Sequence, residues 1–239
     1  MTVLNSTAQN DRRSERGNVL FLILIAVALF AALSYAVTQS TRSGGGDASK
    51  ETNLVNAASI TQYPASIKTA ITRMVISNSI SPDTLLFDTP SSFSDLDDDD
   101  KKARGVFYPT GGGATYVEAP ANVMQNNTAG QWHFNMQNQV INIGSSGAIS
   151  ADTADVIAFL PNVKKALCDS IHTRLGISLT YTTPAVVDTT FDMDEATTPA
   201  APTGTIGGTQ ATPDDLGGQP QGCFLNGSEY VYYHVLAER

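Results

Sequence analysis

The longest apolar run of the chain lies near its N-terminus and predicts a helix that spans a membrane. Residues 19–37 read VLFLILIAVALFAALSYAV, which is nineteen residues without a charge. At 1.5 Å per residue this run makes about 28 Å of helix, close to the ~30 Å hydrocarbon core of a bilayer. Ser34 and Tyr35 lie at its far end, where an interfacial tyrosine is common.

A second apolar pattern predicts an amphipathic helix that ends near Pro82. Its apolar positions recur at helical spacing, at Leu54, Ala57, Ala58, Ile60, Ile67, Ala70, Ile71, Met74 and Val75. The three glycines at 44–46 lie between the two helical patterns. Each glycine costs a helix about 1 kcal/mol relative to alanine, which predicts a break there. Pro64 predicts a kink or a restart of the second helix.

Short β-type runs separated by turn residues predict an antiparallel sheet in the rest of the chain. The patterns predict hairpins at 105–117, around a triple glycine, and at 132–143, around residues 137–139. A further hairpin turns at Asn226-Gly227. The final strand, 229–236, carries large apolar residues on both faces, which predicts a place inside the sheet.

Between these hairpins the sequence predicts one further helix and one long loop. Residues 154–160 predict a strand, and Pro161 opens a helix that continues to Leu175 and stops at Gly176. Residues 177–182 are strand-like. Residues 183–222 are dominated by Thr, Pro and Gly, which predicts a solvent-exposed mobile excursion.

The charge balance argues against nucleic-acid binding. The 239 residues carry a net charge of -9, and the part from Ser43 onward has 10 basic and 21 acidic residues. Without a basic patch, no surface can neutralise a row of phosphates. We therefore expect no nucleic-acid partner.

Three interpretations of the apolar run remain open at this point. It suits a cleaved secretory signal with Ser34-Tyr35-Ala36 at the cleavage site, or an uncleaved single-pass anchor. The third interpretation depends on Glu15-Arg16-Gly17-Asn18, placed directly ahead of the run. Basic residues are in small excess on the N-terminal side, which favours an N-in orientation with the remainder exported.

A charged leader that ends in glycine and abuts about twenty apolar residues resembles the N-terminus of a type IV pilin or pseudopilin. The resemblance implies that a prepilin peptidase cuts between Gly17 and Asn18. It also implies that the apolar segment remains on the mature subunit. The fifth mature position is Leu22, where most family members carry Glu; minor subunits at a fibre tip can lack that Glu.

The resemblance implies a complete domain organisation and a structural function without enzymatic activity. It gives a cytoplasmic leader at 1–17, a transmembrane stem helix at 18–42 and an exported head at 43–239. The fold is α+β: the stem continues into a second amphipathic helix, packed on a mainly antiparallel sheet with one further helix. The precursor would lie in the bacterial inner membrane with its head in the periplasm, and the mature subunit in a pilus or pseudopilus at the cell surface.

The implied partners are further copies or other pilin-like subunits, the prepilin peptidase, and lipid around residues 19–37. Ala28, Ala32 and Ala36 recur every four residues and form a strip of small side chains, which in lipid favours close helix packing. The alternative function is a monomeric exported or membrane-anchored binding domain.

The remaining candidate chemistry is sparse. Cys168 and Cys223 fit one disulfide in an exported domain. Asp95, Asp97 and Asp99 have the spacing that begins a calcium loop, but the loop lacks its Gly and its bidentate Glu, so a solvated acidic loop is favoured over a structural Ca²⁺ site. The three histidines, His133, His172 and His234, match no catalytic or metal-binding motif. No cofactor is predicted.

Overall fold

The computed structural model of the chain describes residues 15–145, 148–186, 188–196 and 201–239, without the side chains of 15–18 and 40–48. Within these residues the helices are α1 (Glu15–Asn78), α2 (Asp99–Arg104) and α3 (Lys165–Leu175). The strands are β1 (His133–Val140), β2 (Asp155–Leu160), β3 (Gly204–Ile206), β4 (Gln221–Asn226) and β5 (Glu229–Ala237). The chain divides into two compact units, residues 1–51 and residues 52–239, the second of which is called the head below.

The five strands of the head form one mostly antiparallel sheet in the order β3-β1-β2-β5-β4. Strand β1 pairs antiparallel with β2, β2 with β5, and β5 with β4, whereas β1 and β3 are parallel. Strand β5 therefore lies between two neighbours, which confirms its predicted interior position. The α+β class and the mainly antiparallel sheet are confirmed as well.

Both faces of the sheet are covered. The head portion of helix α1 buries Ala57, Ile60, Ile67, Ile71 and Met74 in the core on one face. Alternation along β5 sends Tyr232 and Leu236 to this core and Val231, Tyr233 and Val235 to the other face. The second core comprises Val140, Ile143, Ile157, Phe159, Ile177, Ile206, Leu216, Phe224, Val231, Tyr233 and Val235.

Helix α1 is longer and less interrupted than the sequence predicts. It continues from Glu15 through residues 44–46 and through Pro64 to Asn78, so the expected break at the three glycines is wrong. A break would sacrifice several hydrogen bonds and require a second costly nucleation, whereas each residue that propagates the helix adds a bond. The helix ends where Ser79 takes a left-handed conformation, with φ of 56°.

Neither of the first two predicted hairpins forms. Residues 105–117 make a compact loop, in which Gly112 N–H donates to Gly105 O over 2.9 Å. A Cβ at Gly112 would lie 2.2 Å from the Val106 carbonyl oxygen, so these glycines allow close backbone packing instead of a hairpin turn. Residues 137–139 do not turn, because β1 continues through them as a strand.

The segment 183–222 is more structured than its composition predicts. It contributes strand β3, and it buries Met193, Ile206 and Leu216 in the two cores. A fully exposed excursion is therefore wrong for its described residues. Helix α3 begins at Lys165, four residues later than predicted, and ends as predicted at Gly176, whose φ is 71°. The strand-like residues 177–182 form no strand.

Candidate functional site: the exposed apolar segment of helix α1

The predicted membrane segment forms part of helix α1. The segment Val19–Gln39 has 21 residues; its most apolar stretch of 18 residues has a mean hydropathy of 2.7, and none of those 18 residues is buried within the protein. Leu24 is 63% exposed and Phe30 is 73% exposed. Water does not stabilise such a surface, since each apolar side chain left exposed forgoes about 1.5–3 kcal/mol of burial. The segment is long and apolar enough to cross a membrane.

The C-terminal end of this segment satisfies its own polar groups. The Thr38 hydroxyl donates to the Ser34 carbonyl over 2.5 Å, and the Gln39 amide donates to the Tyr35 hydroxyl over 2.9 Å. Such bonds within the helix lower the cost of placing hydroxyl and amide groups at the boundary of an apolar medium. The arrangement is typical of the edge of a membrane span, where tyrosine is enriched.

The small-residue strip lies on this exposed helix. Ala28, Ala32 and Ala36 are all exposed, and the neighbouring large side chains Leu22, Ile25, Leu29 and Leu33 are exposed too. In a lipid environment, small residues at this spacing let a second helix approach closely. The predicted cleavage residues Gly17 and Asn18 lie in the first turn of α1, where the structure does not describe side chains, and residues 1–14 of the leader lie outside the described residues.

The two cysteines are joined in the head. Cys168 on α3 and Cys223 on β4 form a disulfide with a Cα–Cα distance of 5.7 Å, and both residues are fully buried. His172, one turn after Cys168, binds the same strand: its Nε2 accepts the Cys223 N–H over 2.9 Å. Its Nδ1 lies 2.7 Å from the Ser178 carbonyl oxygen and therefore donates the other hydrogen bond. Both ring nitrogens are thus occupied by backbone groups.

The other two histidines also have structural partners. His133 Nδ1 lies 2.9 Å from the Asp192 carboxylate, whose other oxygen accepts the Phe134 N–H over 2.8 Å. His234 Nδ1 lies 3.0 Å from the Tyr232 hydroxyl, which donates to the Gln221 side chain over 2.8 Å. These contacts tie the imidazoles to the sheet and to the segment that follows residue 187.

The acidic run forms the beginning of a short helix. The Asp98 side chain caps α2 by accepting the Lys101 N–H over 2.7 Å. Along the run, Asp97 pairs with Lys101 over 2.7 Å, Asp99 with Lys102 over 3.7 Å and Asp100 with Arg104 over 3.1 Å. Among the described residues, no group of three or more His, Cys, Asp or Glu residues is arranged to hold a metal.

Two buried titratable groups of the sheet were not identified from the sequence as important. Burial, followed by the charge of Lys68, lowers the pKa of His234 to about 4. Burial raises the pKa of Asp155 to about 6, although its carboxylate accepts hydrogen bonds from Val140 N–H and Arg239 N–H. Asp155 looks unremarkable in the sequence because its burial depends on strands that are distant along the chain.

These two groups should give opposite pH dependences. In the unfolded chain, His234 is protonated below its ordinary pKa of about 6.5, whereas in the folded head it stays neutral down to about pH 4. Protonation therefore favours the unfolded chain, and the contribution of His234 to the free energy of unfolding falls as the pH falls from 6.5 to 4. Folded Asp155 holds a proton that the unfolded chain loses near pH 4, so its contribution falls as the pH rises towards 6. We expect the two contributions to largely cancel between about pH 4 and 6.

Substitution should separate the two slopes. In Asp155→Asn the contribution of Asp155 is removed and that of His234 is kept. Between about pH 4 and 6, the free energy of unfolding of this variant should therefore rise by about 3 kcal/mol more than that of the wild type. His234→Asn should change the slope in the opposite direction. Urea unfolding at several pH values measures both, with Asp152→Asn as an exposed control. Parallel curves for all four proteins would contradict the assignment.

Comparisons with protein-family models, with curated proteins and with solved structures give no significant match for this chain. The similarity to a pilin is therefore one of architecture: a long apolar N-terminal helix followed by a head with an antiparallel sheet.

Proposed function

We propose that this chain is a structural subunit of a type IV pilus-like or secretion pseudopilus fibre, assembled through its N-terminal apolar helix. The observation that carries the proposal is the exposed apolar segment Val19–Gln39 on a helix that begins at Glu15, within the charged leader. An oxidised, disulfide-bonded head agrees with export of the rest of the chain. The precursor would insert N-in with its head in the periplasm, and the mature subunit would join a fibre at the cell surface.

The partners follow from the same segment. Lipid would surround residues 19–37 before assembly, and helices of other copies or of related subunits would replace the lipid afterwards. Apolar character alone does not drive association in lipid, because the acyl chains are as apolar as leucine; close packing over small residues does. The strip Ala28, Ala32 and Ala36 supports such packing. The function needs no catalytic group, and a prepilin peptidase would be the processing partner.

The N-terminal residue of the mature protein tests the proposal. Asn18 as the first residue supports the pilin-like subunit. Val37 as the first residue would indicate an ordinary signal peptide, and an uncut N-terminus a simple anchor; either result would favour the monomeric binding domain. Edman sequencing or mass spectrometry of the protein purified from membranes distinguishes the three.

A matched pair of variants tests whether processing depends on Gly17 or on Ala36. We expect Gly17→Trp to leave full-length precursor in the membrane, because a bulky residue at the cut cannot replace glycine. Ala36→Trp should leave processing unchanged, although it would block a signal peptidase that cuts after Ala36. Immunoblots of membrane fractions measure both. Normal maturation of Gly17→Trp, or a precursor that accumulates only in Ala36→Trp, would remove the proposed processing.

A further inference from the structure

The head buries one carboxylate that its own donors satisfy only in part. Asp88 follows the end of helix α1 along the chain and is only 1% exposed. Its Oδ2 accepts the Glu195 N–H over 3.2 Å. Its Oδ1 is inaccessible to water and has no hydrogen-bond partner. An ionised carboxylate oxygen in this position is costly, because it has lost its hydration and gained no donor in return.

Two further carboxylates, those of Asp194 and Asp95, lie near enough to Asp88 to act on its charge. The Phe87 N–H donates to the Met193 carbonyl over 2.7 Å, and this bond together with the one from Glu195 holds Asp88 alongside residues 193–195. Asp194 therefore lies beside it. Burial raises the pKa of Asp88 first, and the charges of Asp194 and Asp95 raise it further, against the hydrogen bond from Glu195, which lowers it.

The nearby lysine does not neutralise Asp88. Lys101 Nζ lies 3.0 Å from the Glu195 carboxylate and 2.7 Å from that of Asp97, so two other acidic residues use its charge. The segments 88–97 and 192–195 together carry Asp88, Asp95, Asp97, Asp192, Asp194 and Glu195. A buried carboxylate oxygen without a donor, with the charges of Asp194 and Asp95 acting on it, attracts a cation.

We propose that Asp88, with Asp194 beside it, binds a calcium ion between the loop that begins at residue 88 and the segment 192–195. Calcium suits the site because it accepts carboxylate, carbonyl and water oxygens in a flexible geometry, whereas magnesium demands a nearly ideal octahedron. Since no group of three or more His, Cys, Asp or Glu residues converges among the described residues, the proposal requires backbone carbonyls of these two segments as further ligands. Such a site has a dissociation constant of about 10⁻⁴–10⁻³ M, as in extracellular modules.

Calcium-dependent thermal stability tests the proposal, and the outcome does not depend on whether the chain forms a fibre. Full-length protein in detergent, stripped with EDTA, is heated near neutral pH with and without CaCl₂. We expect Ca²⁺ at about ten times its dissociation constant to raise the melting temperature by about 3–6 °C. Titration calorimetry should give one Ca²⁺ per chain, with weaker binding of Mg²⁺.

Substitutions locate the ion. Asp88→Asn removes the charge at constant shape, so we expect it to abolish the calcium shift and to melt no lower than the wild type in EDTA. Asp99→Asn, a carboxylate that is fully exposed and paired with Lys102, should keep the full shift. The proposal is overturned if the wild type shows no calcium shift, since a proton on Asp88 then satisfies the site. It is also overturned if Asp88→Asn retains the shift, or if Asp99→Asn abolishes it.

Discussion

Replacing Cys168 and Cys223 together with alanine is expected to lower the free energy of unfolding by about 4 kcal/mol. The disulfide closes a loop over a sequence separation of 55 residues, and chain entropy assigns a stabilisation of this size to such a loop. For a chain of this length the change corresponds to a fall in melting temperature of about 8–16 °C. Urea unfolding and calorimetry of the double variant measure the effect.

The single variants supply the control for this prediction. Either Cys168→Ala or Cys223→Ala breaks the bond completely, so each should lose nearly as much stability as the double variant, and the two losses should not add. Additive losses would mean that packing of the two buried side chains, and not the bond, provides the stability. Mass spectrometry of the native protein without reductant should find no free thiol; a free thiol would contradict both the bond and an oxidising compartment.

The disulfide encloses a long segment of the head, and it restricts that segment in the unfolded chain. Between the two cysteines lie the 183–222 segment and strand β3, whose residues Ile206 and Leu216 fill the second core. The Thr205 N–H donates to the Ala185 carbonyl over 2.7 Å, and Asn135 donates to two carbonyls of the same segment, those of Asp188 and Phe191. Without the bond, the unfolded chain gains the freedom that this long segment otherwise lacks.

The sequence predicted those elements that local residues determine. Asn226-Gly227 between apolar β-type residues indicated the last hairpin, and β4 and β5 do pair there. The pairing of Asn226 with Glu229 makes Gly227 and Ser228 the two loop residues, one position later than the dipeptide suggests. Gly227 has φ of 62°, as the first loop residue of a type I′ or II′ turn requires. The end of α3 at Gly176 has an equally local cause.

The errors arose where distant residues decide the structure. The polar residues 137–139 suggested a turn, yet they lie within β1, where the Gln139 side chain donates to the Ser145 carbonyl over 2.8 Å. The segment 183–222 has no periodic pattern of apolar residues, because its buried residues are isolated along the chain: Met193 packs in one core, and Ile206 and Leu216 pack in the other. Asp88 likewise gave no sequence signal, since its burial depends on residues 193–195, more than a hundred positions away.

The apolar segment of α1 could be identified from sequence alone, because length and hydropathy define it without any tertiary partner. Its exposure is the additional information that the structure provides: none of the residues in its most apolar stretch is buried within the protein. A core helix of a soluble protein would bury such residues. The side chains along each face of the helix decide whether lipid alone or a neighbouring helix covers this surface. The alanine strip has small side chains, whereas the face beside it has large leucine and isoleucine side chains.

Ala32→Leu is expected to prevent fibre assembly while membrane insertion and the folded head remain intact. The substitution keeps the segment apolar, so insertion is unaffected. In a fibre, however, it would overfill the contact that the strip Ala28, Ala32 and Ala36 allows, at a cost of about 1–3 kcal/mol for each packed site. Because every subunit carries the change, the cost is repeated along the fibre. We therefore expect little of the variant in sheared fibre fractions and normal amounts in the membrane.

Ala31→Leu is the matched control for this variant. It adds the same side chain at nearly the same depth but lies about 100° around the helix from Ala32. It should assemble better than Ala32→Leu. Near-ultraviolet circular dichroism of Trp132, which packs 5.3 Å from the Tyr63 ring, reports whether the head is unchanged. Equal assembly of Ala32→Leu and the wild type would show that the strip makes no contact. Absence of the native protein from every fibre and oligomer would leave the helix as an anchor, because a surface that only lipid covers has no use for close approach between helices.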